Sequence, residues 1–443
     1  MNTAPPAGGG SNWAFMLRAL RYKNYRLFFG GQIISLIGNW MTMTATSWLV
    51  FRLTGSAWML GVVGFSGQLP SVVLTPLAGV VVDRVNQHRL LMLTQVLSML
   101  QSFALAVLMY QGRMTIPALI ALNVVQGLIN AFDMPCRQSF VISLIENRED
   151  LSNAIALNSS MFNLARLAGP AIAGAVIAAT GEGLCFLLDG LSFLAVLLAL
   201  AAMTLPQRAP RPKKKEDARA ELAEAWRYVS GSLPIRTLLL LLAGVCLLAV
   251  PYGVLIPIFA GKILGGGPHM LGLLMTASGA GALAAALWLA SLRSITRLSR
   301  AIFVSTAGFG ASLAGLGLSR VPWLSGVFLF GAGFGFMLMM AASNTIIQTI
   351  VDEDKRGRVM SFLMTAILGT APLGSLAVGV VADKIGAPAT VIVEGAFCLL
   401  VAFWFSGRLD EFHSAVHPIY ARMGLLPEAA GADAAAPMAP PKR

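Results

Sequence analysis

Three charged side chains stand inside long apolar runs: Arg166, Asp189 and Glu394. Such charges are costly in lipid and are kept where they meet a partner, water or a moving ion. A carboxyl at lipid depth avoids a bare charge by taking a proton. Asp189 and Glu394, with Arg166 and with Asp133 at the end of a neighbouring run, are therefore the proton-coupling candidates. The alternative, that Asp189 and Glu394 only pack helices together, stands beside it. At 1.5 Å per residue Arg166 lies ~10 Å from one membrane face and Asp189 ~7 Å from the other. Across ~30 Å of hydrocarbon the two are too far apart to pair. Asp133 is the better partner expected for Arg166.

Uncharged polar residues fall into stripes. Asn123, Gln126, Asn130 and Asp133 are spaced three, four and three, which is one face of a helix, and Gln32, Ser35, Asn39, Thr42 and Thr46 keep the same rhythm. A polar stripe avoids lipid, so both are expected to face a water-filled cavity or other helices. Opposite them, Tyr252 lies between Pro251 and Pro257, and Met337, Met339 and Met340 form an adaptable apolar patch. A polar wall facing an apolar one suits a small amphipathic organic molecule, although a methionine stripe also serves plain packing.

Enzymatic chemistry has no carrier here. There is no Gly-x-Ser-x-Gly, no phosphate-binding Gly-x-x-x-x-Gly-Lys-Ser/Thr and no His-Glu-x-x-His. The histidines His88, His269, His413 and His417 fall in loops or the tail, and the four cysteines are far apart. No metal, disulfide or cofactor is implied.

The elements that must position these residues follow from composition. The 443-residue chain is 56% hydrophobic and 12% charged, about half the charge of a soluble protein. Its mean hydropathy is +0.74. Twelve apolar runs, the first at 27–51 and the last at 385–407, are each near the ~20 residues that cross a bilayer. With both termini in the cytoplasm, 26 Lys and Arg lie on the inner side and 5 on the outer, the bias that sets orientation in a bacterial inner membrane. That distribution accounts for the +12 net charge without a nucleic-acid partner.

The longest internal polar stretch divides the runs six and six. The expected organisation is a cytoplasmic arm at 1–26, a six-helix bundle at 27–205, and a linker at 206–236. A second bundle at 237–408 and a largely disordered cytoplasmic tail at 409–443 complete it. In the linker, Leu222, Trp226 and Val229 share a helix face suited to the inner membrane surface. Shifting the chain by 205 residues lays Gly169 on Gly374, Gly174 on Gly379 and Asp189 on Glu394, as parallel repeats would. The fold class is an all-α membrane protein of two pseudo-symmetric six-helix bundles.

The loop after the second run reads Gly79, then three valines, Asp83 and Arg84, and then Arg89. It resembles the signature loop of the major facilitator superfamily, with Gln87 where a basic residue is usual. The segments at 132–138, 166–174, 186–193 and 356–361 resemble the branch containing the enterobactin exporter and macrolide-efflux proteins. The resemblance implies an inner gate of Asp83, Arg84, Arg89, Asp133 and Arg137. It also implies a central cavity lined by the first, fourth, seventh and tenth spans, hence by Gln32, Asn39, Thr42, Asn123, Gln126, Asn130, Tyr252 and Met337. Asn123 replaces the arginine of the family's fourth-span motif. Gly169, Pro170 and Gly174 resemble the hinge motif of antiporters. Function is then expected to be export of a small amphipathic molecule, of drug or siderophore type, against protons, by a monomer in a lipid bilayer. Lysophospholipid movement, solute uptake and a transporter-like receptor are the alternatives.

Overall fold

The computed structural model describes residues 17–82, 84–204, 218–291, 298–353 and 355–423. Among these residues every regular element is helical. In the first half the helices are α1 (Lys23–Thr54), α2 (Ala57–Val82), α3 (Gln87–Tyr110), α4 (Ile116–Ser143), α5 (Arg148–Thr180) and α6 (Glu182–Ala201). A short helix α7 (Ala218–Gly231) precedes the second half. There follow α8 (Leu233–Ile263), α9 (Pro268–Ser291), α10 (Leu298–Leu318), α11 (Pro322–Ile350), α12 (Arg356–Ile385) and α13 (Ala387–Ser406), then α14 (Leu409–Arg422). Eleven of these helices pass the length and hydropathy that crossing a membrane needs. The 32-residue α1, diluted by its polar stripe, is the twelfth span.

Local signals start and stop these helices. Asn86, Thr115 and Asn147 each cap a helix by accepting from a backbone N–H, at 3.1 Å from Arg89 and Glu149 and 3.4 Å from Ala118. Gly55 ends α1 in the left-handed region at φ 61°, where a side chain would be strained. α8 loses regular α geometry at 250–263, where Pro251 and Pro257 cannot donate to the ladder.

Packing repeats between the halves. α1 lies against α5 and α6, and α3 against α4 and α6; likewise α8 lies against α12 and α13, and α10 against α11 and α13. The halves meet through two extensive contacts, α2 with α12 and α5 with α9, which exchange under the same two-fold relation. α4 and α11, which the same relation also pairs, make no comparable contact.

The ends are stapled to their own halves. Arg18 and Arg21 pair with Asp150, which is 1% exposed, and Ala19 N–H donates to Asn153 at 2.9 Å. α7 docks on the second half through Tyr228 and Asp352, 3.2 Å, and Arg358 and Glu224, 3.1 Å. Its Val229 is buried while Trp226 is exposed and lies over Phe362, so the two do not share one lipid-facing surface. The side chain of Leu222 and residues 205–217 lie outside the described set. At 409–422 the chain forms a packed helix rather than an open tail, because Phe412, Val416 and Tyr420, four apart, bury one stripe.

Candidate functional site

The halves close on the side away from the termini. There Lys262 Nζ donates to the Gly55 carbonyl at 2.7 Å and Ser56 Oγ to Asp383 Oδ1 at 3.1 Å. Deeper on that side, glycines let backbones touch: a Cβ on Gly174 would lie 3.0 Å from Gly272 Cα, and one on Gly61 3.2 Å from Gly379 Cα. Contact between α5 and α9 reaches the middle of both helices, where Gly279 lies against the Arg166 carbonyl. Pro170, four residues on, has no N–H for that carbonyl. Thr276 Oγ1 donates to the next carbonyl, Leu167, at 3.3 Å. Gly169 packs on Trp40 of α1, with room for no side chain, since a Cβ would sit 2.4 Å from Trp40 Cβ.

The polar stripe of α4 meets α3. Asp133, 2% exposed, accepts from Thr94 Oγ1 at 2.8 Å and Gln95 Nε2 at 2.7 Å, and pairs with Arg137 one turn along its own helix. Gln126 donates to Ser98 Oγ at 3.2 Å and to Asn130 Oδ1 at 3.1 Å. Asn123 donates to the Leu119 carbonyl at 2.9 Å and faces Gly67 of α2.

Asp189, also 2% exposed, sits among α1, α3 and α6. Its Oδ2 accepts from Thr42 Oγ1 and Ser102 Oγ, both at 2.8 Å, and Gly38 leaves the space its Oδ1 occupies. Glu394, the residue 205 positions on, is 3% exposed, and neither carboxylate oxygen has a partner among the described residues. The repeat thus places two acids alike and solvates them differently. The Arg166 guanidinium lies 6.0 Å from the Trp40 ring and pairs with neither Asp133 nor Asp189.

The remaining expected residues are spread out. Gln32 is buried at 1% with its Oε1 unpartnered, and Asn39 is exposed. Tyr252 shares a 3.1 Å hydrogen bond with Ser278 and its ring packs on Phe309; Met337 is half-buried. Arg84 and Arg89 are exposed, without an ion pair to Asp133, and Asp83 lies outside the described residues.

The sequence reading missed α3. Thr94, Gln95, Ser98, Gln101 and Ser102 are all buried and hold the acids and amides above. Their signal was present as spacing of one, three, three and one, hidden because α3 carries no charge between Leu90 and Tyr110.

Two linked bundles of six helices, with polar groups turned inward, define a membrane transporter of the major facilitator fold. The chain belongs to the transmembrane secretion effector family, whose profile matches residues 14–421. It is 26% identical to the staphyloferrin A transporter of Staphylococcus aureus, over 86% of this chain and 96% of that one. It is 29% identical to the multidrug efflux pump Tap of Mycolicibacterium fortuitum, over 86% and 95%. Macrolide efflux protein A of Streptococcus pyogenes is 21% identical, over 86% and 96%. Among solved structures, the nucleoside transporter NupG superposes with a TM-score of 0.64 at 14% identity, covering 88% of this chain and 98% of that one. A bacterial homologue of the human lysosomal transporter Spinster, in an inward-facing, occupied conformation, does so at 0.67 and 13%, covering 89% and 98%.

Proposed function

We infer that the protein exports a small amphipathic organic molecule, of drug or siderophore class, from the cytoplasm by alternating access, driven by proton entry. The observation that carries this reading is the one-sided join. The halves touch through α2 with α12 and α5 with α9, close on the side away from the termini, and leave α4 and α11 apart. Two glycine-lined helix pairs can rock against each other about such a seam, which opens one side as it closes the other. The relatives named for siderophore, multidrug and macrolide transport support the substrate class.

The charge bias supports an inner-membrane orientation with cytoplasmic termini. Protons supply ~2.3 kcal/mol per charge per 100 mV. Asp133 and Asp189 are the coupling groups proposed, Glu394 a packing acid, and the exporter a monomer. In this reading Asn123, Gln126 and Asn130 line one wall and Tyr252 and Met337 the other as the halves move. Gly169, Pro170 and Gly174 are the hinge.

Proteoliposomes carrying an imposed pH gradient test the whole reading with ethidium, erythromycin and a ferric carboxylate siderophore as probes. Gradient-driven flux of at least one, lost in Asp189→Asn and Asp133→Asn, is expected. Saturable binding without flux would instead identify a receptor, and flux indifferent to both substitutions would remove these acids from coupling. Cysteine labelling of the 206–217 segment from outside the cell would reverse the orientation.

A further inference from the structure

Ser152, Ser159, Asn163 and Arg166 are spaced seven, four and three, which puts them on one face of α5. The first two are exposed and the last two half-buried. From Ser152 the face runs ~21 Å away from the terminal side, and it ends at Arg166, near the middle of the 33-residue helix. There the seam begins. Gly279 lies against the Arg166 carbonyl, and the contacts of Thr276 with Leu167 and of Gly272 with Pro170 continue it towards the closed side. Ser278, beside Gly279, bonds Tyr252 of α8, so both helices of the second half stand next to this point.

Among the described residues Arg166 has neither an ion pair nor a hydrogen bond from its guanidinium. What it meets is the face of Trp40, 6.0 Å from the ring centre, and Phe162 stands edge-on to the same ring at 5.8 Å. Its nitrogens are not among the buried side-chain atoms that lack a partner, so they reach open space. A permanent charge at mid-membrane depth does not face lipid, which leaves the opening between the halves. The repeat is unequal here. The 205-residue shift carries the four positions onto Gly357, Met364, Leu368 and Ala371 of α12, where Met364 and Leu368 are exposed and no charge stands.

We propose that Arg166 selects the cargo: it takes a carboxylate of an anionic amphipathic molecule at the inner end of this face, while the molecule's apolar body lies against Trp40 and Phe162. This deepens the exporter reading and rests on it; what it adds is the sign of the cargo. A guanidinium is a planar fork of five N–H donors, and with one face over an indole its edge stays free to give two parallel hydrogen bonds to a carboxylate. The nearby acids are already engaged, Asp133 by Arg137, Thr94 and Gln95, and Asp189 by Thr42 and Ser102. A carboxylate for Arg166 is therefore one that the cargo brings. A cationic cargo meets repulsion at the same place, so the residue rejects as well as attracts. Arginine keeps its proton, which assigns Arg166 to recognition and not to proton coupling. A molecule held there lies beside the Gly279 contact, where α5 and α9 meet.

The test uses the full protein in lipid nanodiscs and four probes with one fluorescent apolar body and different heads: dansyl-glycine (carboxylate), dansyl-glycinamide (neutral), dansyl-ethylenediamine (ammonium) and dansyl-aminomethylphosphonate. Binding is read from dansyl emission against empty nanodiscs. Dansyl-glycine is expected to bind about ten-fold or more tighter than the amide and the amine. Arg166→Gln is expected to lose that factor for the carboxylate and to leave the amide unchanged, which also shows that the variant is folded. Arg166→Lys, a point charge without the fork, is expected to keep the preference for carboxylate over ammonium with weaker carboxylate binding. If the glutamine variant does not assemble, the lysine variant decides, and carboxylate and amide affinities that fall together in it would overturn the proposal. So would equal affinities for all heads, tightest binding of the ammonium or the phosphonate, no binding of the carboxylate, or a preference that survives Arg166→Gln. Should the preference hold while a pH gradient drives no probe across proteoliposomes, the anion site stands and the coupled-export reading is what fails. Gradient-driven ethidium flux without a carboxylate preference would leave the export reading in place and remove this one.

Discussion

Gly174 of α5 lies against Gly272 of α9, and the mirrored contact sets Gly61 of α2 against Gly379 of α12. The 205-residue shift that lays Gly174 on Gly379 thus has a physical origin, since both serve the same two-fold-related seam. A Cβ on Gly272 would meet the Pro170 carbonyl at 2.5 Å, and one on Gly61 the Ser375 carbonyl at 2.6 Å. Backbone atoms cannot swing aside as a side chain can. Gly272→Ala and Gly61→Ala are each expected to cost ~1–3 kcal/mol in thermal unfolding and to reduce transport. Gly79→Ala, with nothing within 4 Å of the added carbon, is expected to stay within ~0.5 kcal/mol of wild type.

The closed side offers a direct check on alternating access. Ser56 Oγ and Asp383 Oδ1 are 3.1 Å apart on opposite halves, and all four native cysteines are buried. Ser56→Cys with Asp383→Cys should cross-link with a short bifunctional thiol reagent, seen as a mobility shift after a protease cut between the halves. Transport should stop on cross-linking and return on reduction. Full transport by cross-linked protein would mean that this side does not open during the cycle.

Thr42, a member of the polar stripe of α1, gives its hydroxyl to Asp189 at 2.8 Å. Thr42→Val keeps the shape and removes the donor, which is expected to cost ~1–3 kcal/mol. Thr42→Ser should restore most of it. Equal melting temperatures for the valine and serine variants would show that the bond contributes nothing.

Arg52 grips Glu182 with two nitrogens, Nε to Oε1 at 2.8 Å and Nη2 to Oε2 at 3.0 Å, while the carboxylate is 3% exposed and the arginine half-exposed. Removing the cation strands a buried acceptor, so Arg52→Met is expected to destabilise by ~1–3 kcal/mol. Adding Glu182→Gln should recover part of the loss, measured as a double-mutant cycle of melting temperatures. Additive losses would show that the two side chains act independently.

Much of the site was legible as residue type and only partly as partnership. The stripe Asn123, Gln126, Asn130 and Asp133 announced a protected face by its spacing, and two of its members do bond to another helix. The partner helix was hidden because Thr94, Ser98 and Ser102 are small hydroxyl residues that barely lower the hydropathy of a span. Pairing Arg166 with Asp133 followed from depth alone. In the structure Arg137, one turn away, already occupies Asp133, and Arg166 lies over Trp40. Depth along the membrane normal is a single coordinate, and it cannot tell which side of a bundle a residue faces.

The amino-acid sequence by itself determined the number of spans, the side on which charge collects and the repeat between the halves. Each is decided by the transfer of residues from water to lipid, which acts on every segment separately. The tertiary structure alone decided which polar groups meet. Asp189 found two hydroxyl donors and Glu394 none, although the repeat places them alike. That difference lies in the neighbouring helices: a hydrogen bond requires two atoms within about 3 Å, and only packing brings residues 42, 102 and 189 to one point.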